Sequence, residues 1–180
     1  MSRLRSGFSL IELLVVIALI AVLASLAIPS FREIAANQAL SGASSDLMSS
    51  ALQARSTALQ TNRQVVVQPI TGENWTTGWN IYVDVNANGS LDSGTDTIVL
   101  THESLAPEIS LTAVAGTTEA SSIGKIAYGP DGFVATMGGR NAGSIILTSS
   151  RTPRMRYVVI SRLGRPRICD PKSSPGCEPS

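Results

Sequence analysis

Two groups of residues in this chain have types and spacings that could do chemistry. The first is Asp84-Val85-Asn86-Ala87-Asn88-Gly89-Ser90-Leu91-Asp92. Its oxygen-bearing side chains alternate and glycine stands sixth, as at the start of a calcium loop. Thr95, however, occupies the twelfth position where a bidentate glutamate belongs, and a strand is predicted to follow instead of a helix. The competing reading, which we prefer, is a hairpin loop in which Asp84, Asn86, Asn88 and Asp92 bond their own backbone. The second group is seven arginines, Arg140, Arg151, Arg154, Arg156, Arg162, Arg165 and Arg167, in a stretch that has no acid between Asp131 and Asp170. Arginine's planar fork suits phosphate, so such a patch could hold a nucleic-acid backbone without reading bases. It could equally pair with acids of a neighbouring protein subunit, and Tyr157 is the only aromatic nearby to offer a base-stacking platform. Catalytic groupings are not found. His102 is the single histidine and reads as a surface strand residue, Glu103 and Glu108 are scattered, and there is no nucleophile elbow, phosphate loop or zinc spacing. The chain is therefore read as a non-enzyme without a cofactor.

The elements that must position these residues begin with an apolar run. Residues 8–28 carry only Ser9, Glu12 and Ser25 as polar positions. As a helix that run is ~30 Å long, enough to cross a hydrocarbon core. Arg3 and Arg5 precede it and are expected to hold that end in the cytoplasm. From Pro29, expected to kink or loosen the helix, the pattern becomes amphipathic. Leu40, Leu47, Ala51, Ala54 and Ala58 mark one face, small enough for close approach to a sheet, and the helix is expected to end near Thr61. Short β-branched segments follow at 64–70, 79–85, 97–102, 109–113, 125–128, 133–136, 144–148 and 156–161. Their connections are too short for crossover helices, so antiparallel pairing is expected. The Thr- and Ser-rich stretch 115–122 reads as a loop, and Gly138-Gly139 as a turn.

Size and composition fit one domain with an appended helix, in a chain of 180 residues that is 43% hydrophobic and 4% aromatic. The formal charge is +1, which loss of Arg3 and Arg5 would turn to −1, so net charge selects no partner. With the anchor oriented as above, Cys169 and Cys177 lie outside the cytoplasm, and a disulfide closing a short loop through Pro171, Pro175 and Gly176 is expected.

The start of the chain resembles the class III leader of type IV pilins and type II secretion pseudopilins. A basic leader, Gly7, Phe8, Glu12 as fifth residue after that junction, and the apolar run all stand where the family has them. The resemblance implies that a prepilin peptidase cuts between Gly7 and Phe8 and methylates Phe8. It also implies that Glu12 pairs with the N-terminal amine of a neighbouring subunit. Three further stretches resemble the GspH/FimT (FimU-like) minor pilins and pseudopilins: Gly78-Trp79-Asn80-Ile81-Tyr82-Val83-Asp84, Tyr128-Gly129-Pro130-Asp131-Gly132, and Ser161-Arg162-Leu163-Gly164-Arg165-Pro166-Arg167. The implied fold is α+β, the type IV pilin fold, with a long N-terminal helix packed on an antiparallel β-sheet head. Its implied parts are a leader (1–7), a membrane and filament-core half-helix (8–28), an amphipathic half-helix (29–62) and a β-rich head with a disulfide-bonded tail (63–180). The implied protein is a minor pilin of a type IV pilus tip, or a type II secretion pseudopilin. It would be held single-pass in the inner membrane with the head in the periplasm, extracellular once in a pilus, with other pilin or pseudopilin subunits as partners. In FimT-like pilins that act in natural transformation, a Gly-Arg-x-Arg segment contributes to DNA binding. Gly164-Arg165-Pro166-Arg167 matches it, which makes double-stranded DNA the alternative partner, through Arg154, Arg156, Arg162, Arg165 and Arg167.

Overall fold

In a computed structural model of the chain, the structure describes residues 9–114, 124–137, 142–174 and 177. The expected loop at 115–122, the Gly138-Gly139 turn, Arg140, Pro175, Gly176 and the Gly7-Phe8 junction lie outside them. Two compact units divide the chain, residues 1–35 and 36–180.

The long helix α1 spans Leu10–Thr61. Within the first unit its large apolar side chains are exposed from Leu10 through Leu23, and again at Ile28, Phe31 and Ile34. Among the described residues no single helix is long and apolar enough to cross a membrane; the bent pair Leu10–Ser25 and Ser30–Thr61 passes together, by length and composition only. The helix ends at Asn62, whose positive φ of 52° is a left-handed stop tolerated by asparagine.

In the second unit the predicted face is the buried one. Leu40, Leu47, Ala51, Ala54 and Ala58 are all 1% exposed or less. The largest fully buried side chains, Trp75, Trp79, Tyr82 and Tyr128, come from the strands.

Among the described residues nine strands form two antiparallel sheets. The first has the order β3-β2-β1-β5-β6, from β1 (Gln64–Thr71), β2 (Asn74–Asp84), β3 (Thr97–His102), β5 (Ile126–Tyr128) and β6 (Val134–Met137). The second, β4-β7-β8-β9, is built from β4 (Ile109–Val114), β7 (Gly143–Ser149), β8 (Thr152–Ile160) and β9 (Pro166–Cys169). Register places Val65, Val67, Trp79, Ile81, Val83, Ile126 and Tyr128 on one face of the first sheet. These residues join the helix and the second sheet's Ile145, Leu147, Val158 and Ile160 in one core. Two polar bonds fix the helix over the sheets. Trp79 Nε1–H donates to Ser50 Oγ at 2.9 Å, and Thr152 Oγ1–H donates to Asn37 Oδ1 at 2.8 Å.

The structure extends the predicted strands in three places. β2 begins at Asn74, five residues before Trp79, so Trp75 is a core residue whose ring lies 6.3 Å from that of Trp79. Gly78 made the strand look interrupted, yet β2 runs through it. β8 starts at Thr152 instead of Arg156. β9 falls in Pro166–Cys169, an arginine-bearing segment with no apolar alternation to read. His102 also departs from expectation. Its ring stacks on Trp79 with centroids 4.0 Å apart and planes 7° apart, so it is half-buried, and its Nε2 lies 3.5 Å from Asp46 Oδ2.

Candidate functional site

Three regions carry the residues singled out in the sequence: the helix start, the loop after β2, and the arginine-rich C-terminal hairpin.

At the helix start, Ser9 and Glu12 form a reciprocal cap. Ser9 N–H donates to Glu12 Oε2 at 2.9 Å, and Glu12 N–H donates to Ser9 Oγ at 3.2 Å. This is the Ser-x-x-Glu capping box, a signal present in the sequence that the pilin pattern overshadowed. A carboxylate facing lipid is costly unless it has donors. Within the described chain Glu12 finds one, the backbone N–H of Ser9.

The loop after β2 closes on itself. Asp84 is 1% exposed and accepts the N–H of Gly89 at 2.6 Å, that of Asn88 at 3.2 Å and the Gln64 amide at 3.0 Å. Asp92 Oδ2 accepts both the Asn88 and Asn86 amides, at 2.6 and 3.0 Å. The Asn86 and Asn88 amides, in that order, hold the Asp92 carboxyl below the usual carboxylate range. Among the described residues no group of three or more His, Cys, Asp or Glu side chains is placed to hold a metal. The loop acts as a cover. Tyr82 lies on the outer face of the first sheet, yet it is fully buried, and its hydroxyl reaches Gly89 O at 3.3 Å and Gln68 Oε1 at 2.9 Å. Lys125 Nζ donates to the same Gly89 carbonyl.

The arginines are divided by the second sheet. Arg156 pairs with Leu147 in register and shares the core-side face with Val158, whereas Arg167 pairs with Val159 on the opposite face. Arg156 is also occupied, since its guanidinium donates to Asp170 Oδ2 at 2.5 Å and to Met155 O at 3.1 Å. Asp170 lies just beyond the acid-free stretch, so that stretch by itself does not contain the pair. Its carboxyl is held below the usual range first by the N–H of Lys172, then, against some burial, by Arg156 and Arg154. Arg156 is therefore paired with Asp170, Arg154 is exposed, and register sets Arg156 and Arg167 on opposite faces of the sheet. Arg162, Arg165 and Arg167 are exposed on the β8–β9 turn and β9. Cys169 and Cys177 are bonded, with Cα atoms 5.8 Å apart, and pack with Val159.

The β8–β9 turn is built into the head by a contact the sequence did not disclose. Gly164 N–H donates to Ser161 O at 2.9 Å, and Val134 N–H donates to Arg162 O at 3.2 Å. Arg55, from the helix, donates its Nε–H to Gly132 O at 2.9 Å. Gly164 (φ 72°) lies against that carbonyl, and a Cβ there would also come within 3.2 Å of Arg55 Nε. Gly132 (φ 74°) lies against Leu59, 3.1 Å from where its Cβ would stand. Both glycines take left-handed backbones that other residues adopt only with strain. Two motifs about thirty residues apart thus meet at Arg55. Tyr128 is buried beside this junction; burial pushes its hydroxyl well above the usual tyrosine range, and Arg55 pulls the other way.

This arrangement of a long helix and two antiparallel sheets is the type IV pilin fold. It resembles the type IV minor pilin FimU of Pseudomonas aeruginosa with a TM-score of 0.60 at 19% identity, over 78% of this chain and 95% of that one. The minor pseudopilin EpsH, from the Type 2 Secretion System of Vibrio cholerae, gives 0.51 at 13% identity, over 73% of this chain and 97% of that one. The type II transport protein GspH family matches residues 43–164, and the prokaryotic N-terminal methylation motif matches residues 2–28. The chain belongs to the GspH family of minor pilins and pseudopilins, membrane-anchored proteins that assemble with other pilin subunits. A search of curated proteins returned no significant match.

Proposed function

We propose that this chain is a minor subunit of a type IV pilus tip or of a type II secretion pseudopilus. In this reading a prepilin peptidase cuts between Gly7 and Phe8 and methylates Phe8, and the chain waits single-pass in the inner membrane with its head in the periplasm. Glu12 then sets register by exchanging its bond with Ser9 for one to a neighbour's N-terminal amine. The observation that supports this best is the exposed first half of α1. Its apolar side chains have no cover in the described chain, and Glu12, the one carboxylate of residues 8–28, is held by a single local cap that a stronger donor could replace. Such a rod suits storage in lipid followed by packing among other such helices. The test is Glu12→Leu. The variant should reach the membrane at the parent's level but be missing from sheared filaments, and mass spectrometry of the mature parent should find N-methyl-Phe8. A variant that enters filaments as the parent does would refute the register role.

A second reading is a DNA-uptake receptor, favoured by the exposure of Arg162, Arg165 and Arg167 on one turn and its strand. The Arg156–Asp170 pair removes Arg156 from that reading. Detergent-solubilised protein should then bind duplex DNA at low salt and release it as salt rises. Arg165→Gln with Arg167→Gln should weaken the binding, and unchanged binding would end this assignment.

A further inference from the structure

The junction of Arg55, Gly132 and Gly164 gathers exposed apolar side chains from three separate elements. Leu52 and Leu59, one heptad apart on α1, are 44% and 52% exposed. Phe133, next to Gly132, is 46% exposed, and Leu163, next to Gly164, is 52% exposed. Exposed leucines are ordinary when scattered. Here the contacts already described bring them together: Leu59 lies against Gly132, and Gly132 O lies against Gly164. Arg55 Nε–H, bound to Gly132 O, holds the two turns on the helix, so the cluster is ordered before any partner arrives. Exposed Arg162 and Arg165 flank it on the same turn as Leu163. The neighbouring Asp131 spends its Oδ1 on the N–H of Phe133 at 3.0 Å.

We infer that this junction is the face on which the head docks a neighbouring pilin-fold subunit, one presenting an apolar surface bordered by carboxylates. The size of the patch argues for that partner. Four half-exposed side chains offer a few hundred Å² at most, on the order of a large ordinary surface patch. A freely diffusing partner needs ~1,200 Å² or more for a stable complex. A subunit held alongside by its own anchored helix needs far less, because tethering replaces a bimolecular encounter with an effective concentration in the ~mM range. Charge makes the choice specific, since Arg162 and Arg165 reward acids and repel a basic surface. Nucleic acid would use the arginines and leave the leucines and Phe133 uncovered.

The inference rests on the chain being a filament subunit, and the experiment separates the two. Full-length protein in its native cells would carry the photo-crosslinker benzoylphenylalanine at position 59, 133 or, as a control on the edge strand β3, position 98. Adducts with another pilin-family subunit from positions 59 and 133 and not from 98 are expected. Adducts from 98 alone would overturn the docking face while leaving filament membership standing. Adducts with DNA or with a protein outside the pilin family would overturn the docking face as well. Absence of any pilin adduct from all three positions would overturn both. Leu163→Glu should abolish incorporation into filaments at an unchanged membrane level. Should that variant fail to accumulate, the crosslinks made without a charge change decide the matter.

Discussion

Replacing Gly164 by alanine tests whether the β8–β9 turn is locked to the helix as described. Two costs combine there. A left-handed backbone at a residue with a Cβ costs ~1–2 kcal/mol. The new methyl would also overlap Gly132 O, a carbonyl fixed by Arg55. Moving that carbonyl aside forfeits a bond from a charged donor, worth ~1.5 kcal/mol at the lower end for such bonds. The sum is ~3 kcal/mol. Gly72→Ala is the control, because Gly72 has a φ of 55° but a methyl added to it would meet nothing within 4 Å. Only the backbone cost applies there, ~1 kcal/mol. At ~2–4 °C per kcal/mol for a domain of this size, Gly164→Ala should lower Tm by ~6–12 °C and Gly72→Ala by ~2–4 °C. The assay is thermal unfolding of the full chain in detergent, followed by Trp fluorescence, since Trp75 and Trp79 are both buried. Equal shifts for the two variants would mean that the overlap with Gly132 O, and so the junction, is wrong.

Three further outcomes are expected. A carboxylate whose folded pKa lies below its unfolded value adds stability that is present above the unfolded value and lost as pH falls through the folded one. Asp170, lowered by the Lys172 N–H and Arg156, should therefore help to shape the acid limb below about pH 4. Asp170→Asn should flatten that limb in melts taken across pH, and an unchanged limb would deny the shift. Reducing the Cys169–Cys177 bond, which closes a loop of sequence separation 8, should cost ~2.5 kcal/mol by loop-closure entropy. A melt with reductant should fall by ~5–10 °C, and a coincident melt would count against the tail being part of the cooperative unit. Asp84→Ala should destabilise by ~1–3 kcal/mol through the orphaned N–H groups of Asn88 and Gly89, with or without calcium. A Tm that rises with micromolar calcium in the parent and not in this variant would restore the calcium-loop reading.

Much of the architecture was legible because it is written in local periodicity. Leu40, Leu47, Ala51, Ala54 and Ala58 repeat at helical spacing and are the buried face. The strand centres alternate or run β-branched, and the fold class followed from one long helix and short connections. Gly78 misled because a glycine inside a strand reads as a break, whereas in the structure it is where β2 passes close to the carbonyl of His102. β9 misled for the opposite reason. Pro166-Arg167-Ile168-Cys169 has no apolar alternation of its own, and is a strand only because β8 offers Ile160 through Tyr157 as its partner. His102 could not be read as a stacked ring from its own surroundings, because its partner Trp79 lies across a strand pairing.

By itself the sequence determined the family to which this protein belongs. The basic start, Gly7-Phe8, Glu12 and the apolar run are contiguous, and their meaning depends on spacing along the sequence. Only the tertiary structure decided what the arginines can do, because that depends on faces and on distant partners. Register places Arg156 and Arg167 on opposite sides of one sheet, and Asp170 neutralises the first. It also decided where Arg55 goes, a helix cation whose bond to Gly132, 77 residues away, seats the turn that carries Arg162 and Arg165.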